Sequence, residues 1–432
     1  MVVSAEQAEL RIRARVEQEL AERLERRQSA RLRLGDQDWV YRMIGALVSE
    51  EHTRPGSDLD LADCPLIWRR VFGAVTPLGP LAEYLGEPEV EEVRINGTRS
   101  CFLIRDSRRL EVPPPFASEA ELIELVQWYA DGAGGARLDR ASPTVTLTLP
   151  DGSRLHAALS PPASPMSVTI RRHPPARFQE LQDLVRAGFL PEPATEFLEA
   201  AVRARLNMLV AGGTGAGKTT FMRTLGRLIP EHERVVTIED HAELHLWREL
   251  KDCIALEGRS ANIEGRGAIS IQMLVHEALR MSPDRIVIGE VRGAEALDLL
   301  DAMNTGHPGS ISTIHSDSPR DTLPRLVRLA LRNPQAPPAD AVTAEVARSV
   351  ELVMQASVDL SGGRRQRYLS SIGWVAGTEA GRPVVQELMA AEVREGTRSW
   401  RRLASCTLMP RSMLDKLSLV SAPERLLDGL DG

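Results

Sequence analysis

Apolar residues Leu10, Ile12, Val16, Leu20 and Leu24 recur among charges three and four positions apart. That spacing predicts a surface helix within residues 6–34. A second helical stretch, DWVYRMIGALVSEEH, follows and ends at the Pro55-Gly56 pair. From about residue 66 to 175 the pattern becomes mixed. VEEVRINGT, with Asn96-Gly97, reads as a strand entering a tight turn, and ASEAELIELVQWYAD as a helix capped by Ser118. TVTLTLPDGSRLHAAL alternates on either side of Asp151-Gly152, the strongest hairpin signal in the chain, and SVTIRR closes the region as a strand. These features predict a compact α+β domain.

After PPASP and Pro174-Pro175 the period changes again. Helical segments now alternate with short apolar runs, NMLVAG, RVVTIED, RIVIGE and SISTIH. Alternation of this kind predicts an α/β fold, a mainly parallel sheet with helices on both faces. Strands buried on both faces read as continuous apolar runs, as these do. VELVMQASV, RQRYLSSIGWVAG and PVVQELM read as further strands. The expected division is a helical extension (1–60), an α+β domain (61–175), a P-loop α/β domain (176–400) and a C-terminal tail (401–432).

The chain's 432 residues leave room for two or three domains, and 43% hydrophobic with 26% charged residues is ordinary for a globular protein. A net charge of −7 gives no sign of a general nucleic-acid-binding surface. The four cysteines, Cys64, Cys101, Cys253 and Cys406, form no C-x-x-C pair, so neither a zinc ribbon nor a disulfide framework is indicated. The N-terminal region lacks the apolar stretch of a signal peptide, and nowhere do about 18 apolar residues run together. The expectation is a soluble, cytoplasmic protein.

Gly212-Gly213-Thr214-Gly215-Ala216-Gly217-Lys218-Thr219 matches G-x-x-x-x-G-K-[ST] in full, with an apolar strand before it and, from Thr220 on, a helical pattern after it. Glycines let backbone N–H groups close around phosphate oxygens, and the following helix turns its positive end to the same anion. Lys218 is then expected to neutralise β/γ-phosphate charge and the Thr219 hydroxyl to ligate Mg²⁺. Hydrolysis of ATP also needs a carboxylate near the γ-phosphate, and strand ends at the carboxyl edge of the sheet are where ligands bind. Two strands end in acids there. VVTI runs into Glu239-Asp240, with Glu243 beyond, and RIVIG runs into Glu290. The second resembles a Walker B strand with glycine in place of the frequent aspartate. His307 lies at the start of the loop before the strand ISTIH and His315 ends that strand, so both could face the nucleotide edge, with His315 more credible as a γ-phosphate sensor than as a general base. Their spacing is not that of a closed zinc site. Arg154, Arg171 and Arg172 are candidates for arginines supplied across an interface, and Arg292 is placed to link Glu290 to neighbouring segments.

GGTGAGKTT, TIEDHAEL, LRMSPDRIVIGEVRG and TGHPGSISTIHSDSPRD, in that order, resemble the type II/IV secretion ATPases, with their Walker A, Asp-box, Walker B and His-box elements. LPDGSRLHAAL, SVTIRRH and LEGRSANIEGRGAIS look most like the tight-adherence (Tad/Cpa) pilus-assembly branch. The resemblance covers roughly residues 85–375. It implies a RecA-like domain over 176–400 and a hexameric ring in which an N-terminal domain helps clamp ATP. It also implies polytopic inner-membrane platform proteins as partners, driven in pilin assembly or protein export from the inner face of the cell membrane. By position, Lys218 and Thr219 take phosphate and Mg²⁺, and Glu239 and Glu243 belong to the Asp box. Glu290 is the catalytic acid, His307 and His315 are the His-box pair, and Arg154, Arg171 and Arg172 approach the nucleotide. The chain departs from the family with His315-Ser316-Asp317 in place of His-Ala-Asn, and with Ser282 where arginine is frequent. Two other readings stand beside this one. A conjugation-type, nucleic-acid-translocating ATPase is disfavoured by acidity and 4% aromatic content. A nucleotide-binding regulator would show little turnover.

Overall fold

The computed structural model describes residues 5–26, 37–55, 57, 59–61, 63–75, 81, 84–85, 87, 89–105, 108–132, 136–149, 152–172, 178–259, 266–360, 365–394 and 397–420. The chain divides into two compact units, Met1–Pro175 and Ala176–Gly432.

In the first unit the helices Ala5–Arg26, Gln37–Thr53 and Cys64–Val75 share one core. Ala8, Ile12, Val16 and Leu20, spaced four apart, form the buried stripe of the first helix, whereas Leu10 is 65% exposed and lies off it. The third helix contributes Ile67 and Val71 to this core, so the expected boundary at residue 60 falls inside a three-helix cluster. These helices cover one another's apolar faces.

The rest of the unit is a six-stranded antiparallel sheet of β1 (Val90–Asn96), β2 (Ser100–Arg105), β3 (Arg108–Val112), β4 (Thr144–Thr148), β5 (Arg154–Ala158) and β6 (Ser167–Arg171). Its order is β3-β2-β1-β6-β5-β4. Gly97 turns the chain between β1 and β2 at φ +55°. Gly152 (φ +87°) does so between β4 and β5, while Asp151 lies outside the described residues. One face of the sheet packs Val93, Ile95, Leu155, Val168 and Ile170 with Leu122, Leu125 and Tyr129 of the helix Glu119–Gly132. Ser118 caps that helix, its Oγ accepting from Glu121 N at 3.3 Å.

The second unit is built on one nine-stranded sheet. Its strands are β7 (Met208–Gly212), β8 (Val235–Glu239), β9 (Cys253–Glu257), β10 (Arg285–Ile288), β11 (Ile311–Ile314), β12 (Leu352–Asp359), β13 (Gln366–Glu379), β14 (Arg382–Arg394) and β15 (Thr397–Arg402). The order is β15-β14-β13-β12-β7-β11-β10-β8-β9. Strands from β12 to β9 are parallel, and β12 to β15 are joined antiparallel. Side chains of β7 alternate between two cores, Met208 and Val210 on one side and Leu209 and Ala211 on the other, so the sheet is covered on both faces. Beyond residue 400 the chain is no tail as far as it is described. The helix Arg411–Ser418 buries Met413 and Leu417 in the main core, and Lys416 Nζ donates to both oxygens of Glu351 at 2.8 Å. Apolar residues spaced four apart on a short helix had to be covered, and the sheet covers them. Among the described residues no helix is long and apolar enough to cross a membrane.

Candidate active site

Four neighbouring parallel strands, β7, β11, β10 and β8, end at one edge of the second sheet. Adjacent strands lie about 4.8 Å apart, so whatever follows each strand falls into a row. The chemistry of this edge runs along the row in strand order.

β7 turns into the glycine loop at Gly212, where a β-carbon would lie 2.3 Å from the carbonyl oxygen of Ala356 on the neighbouring β12. Only glycine fits between those backbones. Gly213 and Gly215 are half-buried, Thr214 is exposed and Ala216 is buried. Gly217, in the left-handed region at φ +94°, leads into the helix Lys218–Gly226. Lys218 is only 7% exposed. Its Nζ donates to Gly212 O and Gly213 O, both at 3.0 Å, and lies 3.3 Å from His315 Nδ1. Thr219 and Thr220 occupy the first turn of this helix, half-buried.

β11 delivers His315, whose Nε2 lies 3.0 Å from Glu290 Oε1. Burial and the neighbouring Lys218 ammonium hold the imidazole below its ordinary pKa, against the pull of Glu290. A lysine ammonium has no acceptor, so the contact makes Nδ1 of the neutral ring the acceptor. The proton is left on Nε2, 3.0 Å from Glu290 Oε1 but off the line of a hydrogen bond. β10 delivers Glu290. Its Oε2 takes a hydrogen bond from Arg292 Nη2 at 2.6 Å. Its Oε1 is buried and, among the described residues, has no aligned hydrogen-bond donor despite the nearness of His315. A buried carboxylate oxygen left in this way is an acceptor available to a water molecule. Arg292 also reaches Asp240 Oδ2 at 3.3 Å, tying Glu290 to the end of β8.

Glu239 is more fully buried than Glu290. It is 5% exposed, and its carboxylate folds back on its own loop, Oε1 accepting from Glu243 N and Leu244 N at 3.1 Å each. Burial pushes its pKa up to about 8, against the stabilising effect of those two amides. A β-carbon on Gly289 would come 2.9 Å from Glu239 Cγ. The glycine where an aspartate is frequent therefore has a local cause: Glu239 fills the space. The half-buried Glu243 lends Glu239 its backbone N–H.

His307 is at the other edge of the sheet. It precedes β11, and its Nδ1 is 2.8 Å from Pro283 O, ahead of β10. About 13 Å of strand separates it from His315. The expectation that both histidines face the nucleotide edge is thus corrected within this chain. The turn after His307 is pinned at that far edge, with Asn207 Oδ1 accepting from Gly309 N at 2.8 Å and Ser310 N at 3.2 Å. Of the departures, Ser316 is buried and its hydroxyl donates to Ser318 O at 3.0 Å, so the extra polar group is satisfied. Ser282 takes the left-handed conformation at φ +52°.

In the first unit, Arg154 on β5 and Arg171 on β6 are direct cross-strand partners, and Arg171 is also opposite Glu92 on β1. Like charges side by side on a sheet repel. Arg171 is exposed, Arg154 is half-buried, and the Arg172 guanidinium donates to Glu87 O. The residues missed from sequence are Arg365 and Arg367, which reach the glycine loop from the start of β13. Neither belongs to a motif, and some 150 positions of chain separate them from the loop.

The model of the type II/IV secretion system protein family matches residues 75–399. A Mycobacterium tuberculosis protein named for conjugal transfer is 39% identical over 262 residues, covering 58% of this chain and 71% of its own. VirB11 of Agrobacterium fabrum is 33% identical over 285 residues, covering 60% of this chain and 81% of its own. Among solved structures, the pilus retraction motor PilT with bound ADP aligns at a TM-score of 0.50 and 20% identity, covering 69% of this chain and 83% of that one. The chain belongs to the type II/IV secretion system protein family, as a RecA-like P-loop ATPase.

Proposed function

We propose that this protein is a ring-forming secretion motor whose ATP site is the row Lys218–His315–Glu290. The observation that carries the reading is the 3.3 Å and 3.0 Å spacing that places His315 between the phosphate-binding lysine and the strand-end carboxylate. ATP phosphates would replace the loop carbonyls as partners of Lys218, and the amides of Gly213, Thr214, Gly215, Ala216 and Gly217 would face the same anion. Thr219 is the residue fitted to hold Mg²⁺, which would neutralise charge between the β- and γ-phosphates. Glu290 orients the attacking water and takes its proton through Oε1, while Arg292 keeps the other oxygen occupied. His315 registers the γ-phosphate through its contact with Lys218. Glu239 and Glu243 shape the Asp-box loop, and His307 supports the far edge.

In this reading six subunits form the ring. Arg154, Arg171 and Arg172 are brought to a nucleotide held by a neighbouring copy. The work is done on polytopic inner-membrane platform proteins from the cytoplasmic face, in pilin assembly of the tight-adherence kind or in export. The names of relatives favour one competing role, conjugal transfer, for which stimulation of turnover by single-stranded DNA is the discriminating result.

Mixing tests the shared site. Arg171→Ala and Lys218→Ala proteins are each expected to be inactive alone, and a mixture to regain part of the turnover. A mixture as inactive as its components would overturn the neighbour's contribution.

A further inference from the structure

Arg365 and Arg367 bracket the start of β13 and lie on the phosphate loop. Arg367 Nε donates to Gly215 O at 2.9 Å, and its Cδ is 3.6 Å from the β-carbon position of Gly217. The Arg365 guanidinium covers Gly215, with Nη2 at 3.0 Å and Cζ at 3.5 Å from where a β-carbon would sit.

The strand presenting them is anchored. Arg398 of β15 stacks on Tyr368 at 3.9 Å and reaches Gln366 Oε1 at 3.4 Å. Leu369 N donates to Phe189 O at 2.6 Å, and the Phe189 ring lies 3.5 Å from the β-carbon position of Gly217. Both arginines are thus carried by elements that also touch the loop.

A phosphate loop binds its anion through inward N–H groups, which leaves the carbonyls outward. A cation that donates to the Gly215 carbonyl polarises that peptide and strengthens the Ala216 N–H on its other side, which donates to Gly213 O at 3.3 Å and so helps hold the shape of the loop. A second guanidinium at the rim adds attraction for a polyphosphate over a distance set by salt. We propose that Arg365 and Arg367 are positioning residues for nucleotide, supplied within the same chain. Arg367 fixes the Gly215 peptide through its Nε–H, and Arg365 acts through its charge. The proposal rests on the reading that this loop binds ATP.

Four variants, Arg367→Lys, Arg367→Gln, Arg365→Lys and Arg365→Gln, separate geometry from charge. The measurements are titration with fluorescent ADP and steady-state turnover. Both Arg367 variants are expected to bind about tenfold more weakly, since lysine keeps the charge and lacks the Nε–H. Their KM rises with little change in kcat, because the loop holds ground state and transition state alike. Arg365→Gln weakens binding several-fold at low salt and matches the parent at high salt, and Arg365→Lys is restored. A general loss of structure would give neither the lysine rescue nor the salt dependence. Binding within twofold of the parent in all four variants, or Arg367→Lys binding like the parent, overturns the proposal while the parent's nucleotide binding stands. A parent that bound no nucleotide would overturn both readings.

Discussion

Glu290 has two oxygens in unequal surroundings, and that asymmetry makes it a credible base. Oε2 is held by Arg292 at 2.6 Å, so the carboxylate cannot swing away, while the buried Oε1 is left to accept. Glu290→Gln preserves the shape and removes the proton acceptor. It is expected to bind ATP as tightly as the parent and to release phosphate about a hundredfold more slowly or worse, measured by labelled-nucleotide binding beside a phosphate assay. Turnover near the parent's would remove Glu290 from the chemistry. Glu239 behaves differently because it is buried. Its folded pKa of about 8 lies above the ordinary 4.5. Stability from this group is therefore full below about pH 4.5 and declines as pH rises through 8. The unfolding midpoint of the parent, relative to Glu239→Gln, should fall between pH 5 and 8 and level off above, and a rise over that range would contradict the assignment. Glu290 and His315 are legible in the sequence because each comes within two positions of the end of an apolar strand, and Lys218 because it closes the glycine loop that leaves such a strand, which fixes the edge each occupies. His307 was misread because its motif spans a strand from one edge to the other, and proximity along the chain hides that separation. The Gly289 substitution had no reading in sequence, since its cause is the side chain of Glu239 on a neighbouring strand.

The elements show where pattern suffices and where it fails. Runs such as NMLV and RIVI announce parallel strands because both faces of each are covered, and their order in the sheet then places Lys218, His315, Glu290 and Asp240 side by side. The antiparallel strands β13 and β14 are legible as strands, but not as carriers of Arg365 and Arg367, since arginine on a strand end reads as surface, and β15 (Thr397–Arg402) is not among the strands expected from the sequence. The C-terminal helix was misassigned for a related reason. Eight residues, Arg411–Ser418, give a weak periodic signal, although Leu417 is fully buried. Leu417→Ala is expected to destabilise the protein by about 2–5 kcal/mol through lost burial and a residual cavity, read from denaturant unfolding. A change under about 0.5 kcal/mol would mean that this helix is dispensable to the core.

At the scale of the molecule, the chain folds as two compact units, Met1–Pro175 and Ala176–Gly432. The second holds the phosphate loop and the strand-end acid; the first holds the Arg154–Arg171 pair. In the proposed ring a neighbouring copy would bring its arginines to the nucleotide, which would couple association to catalysis. The most direct measurement is ATP turnover per subunit across a protein-concentration series, with Glu290→Gln as the blank. The account predicts turnover that climbs as subunits associate and then saturates. Turnover per subunit above the blank but independent of concentration, while the protein passes from monomer to oligomer, would contradict it.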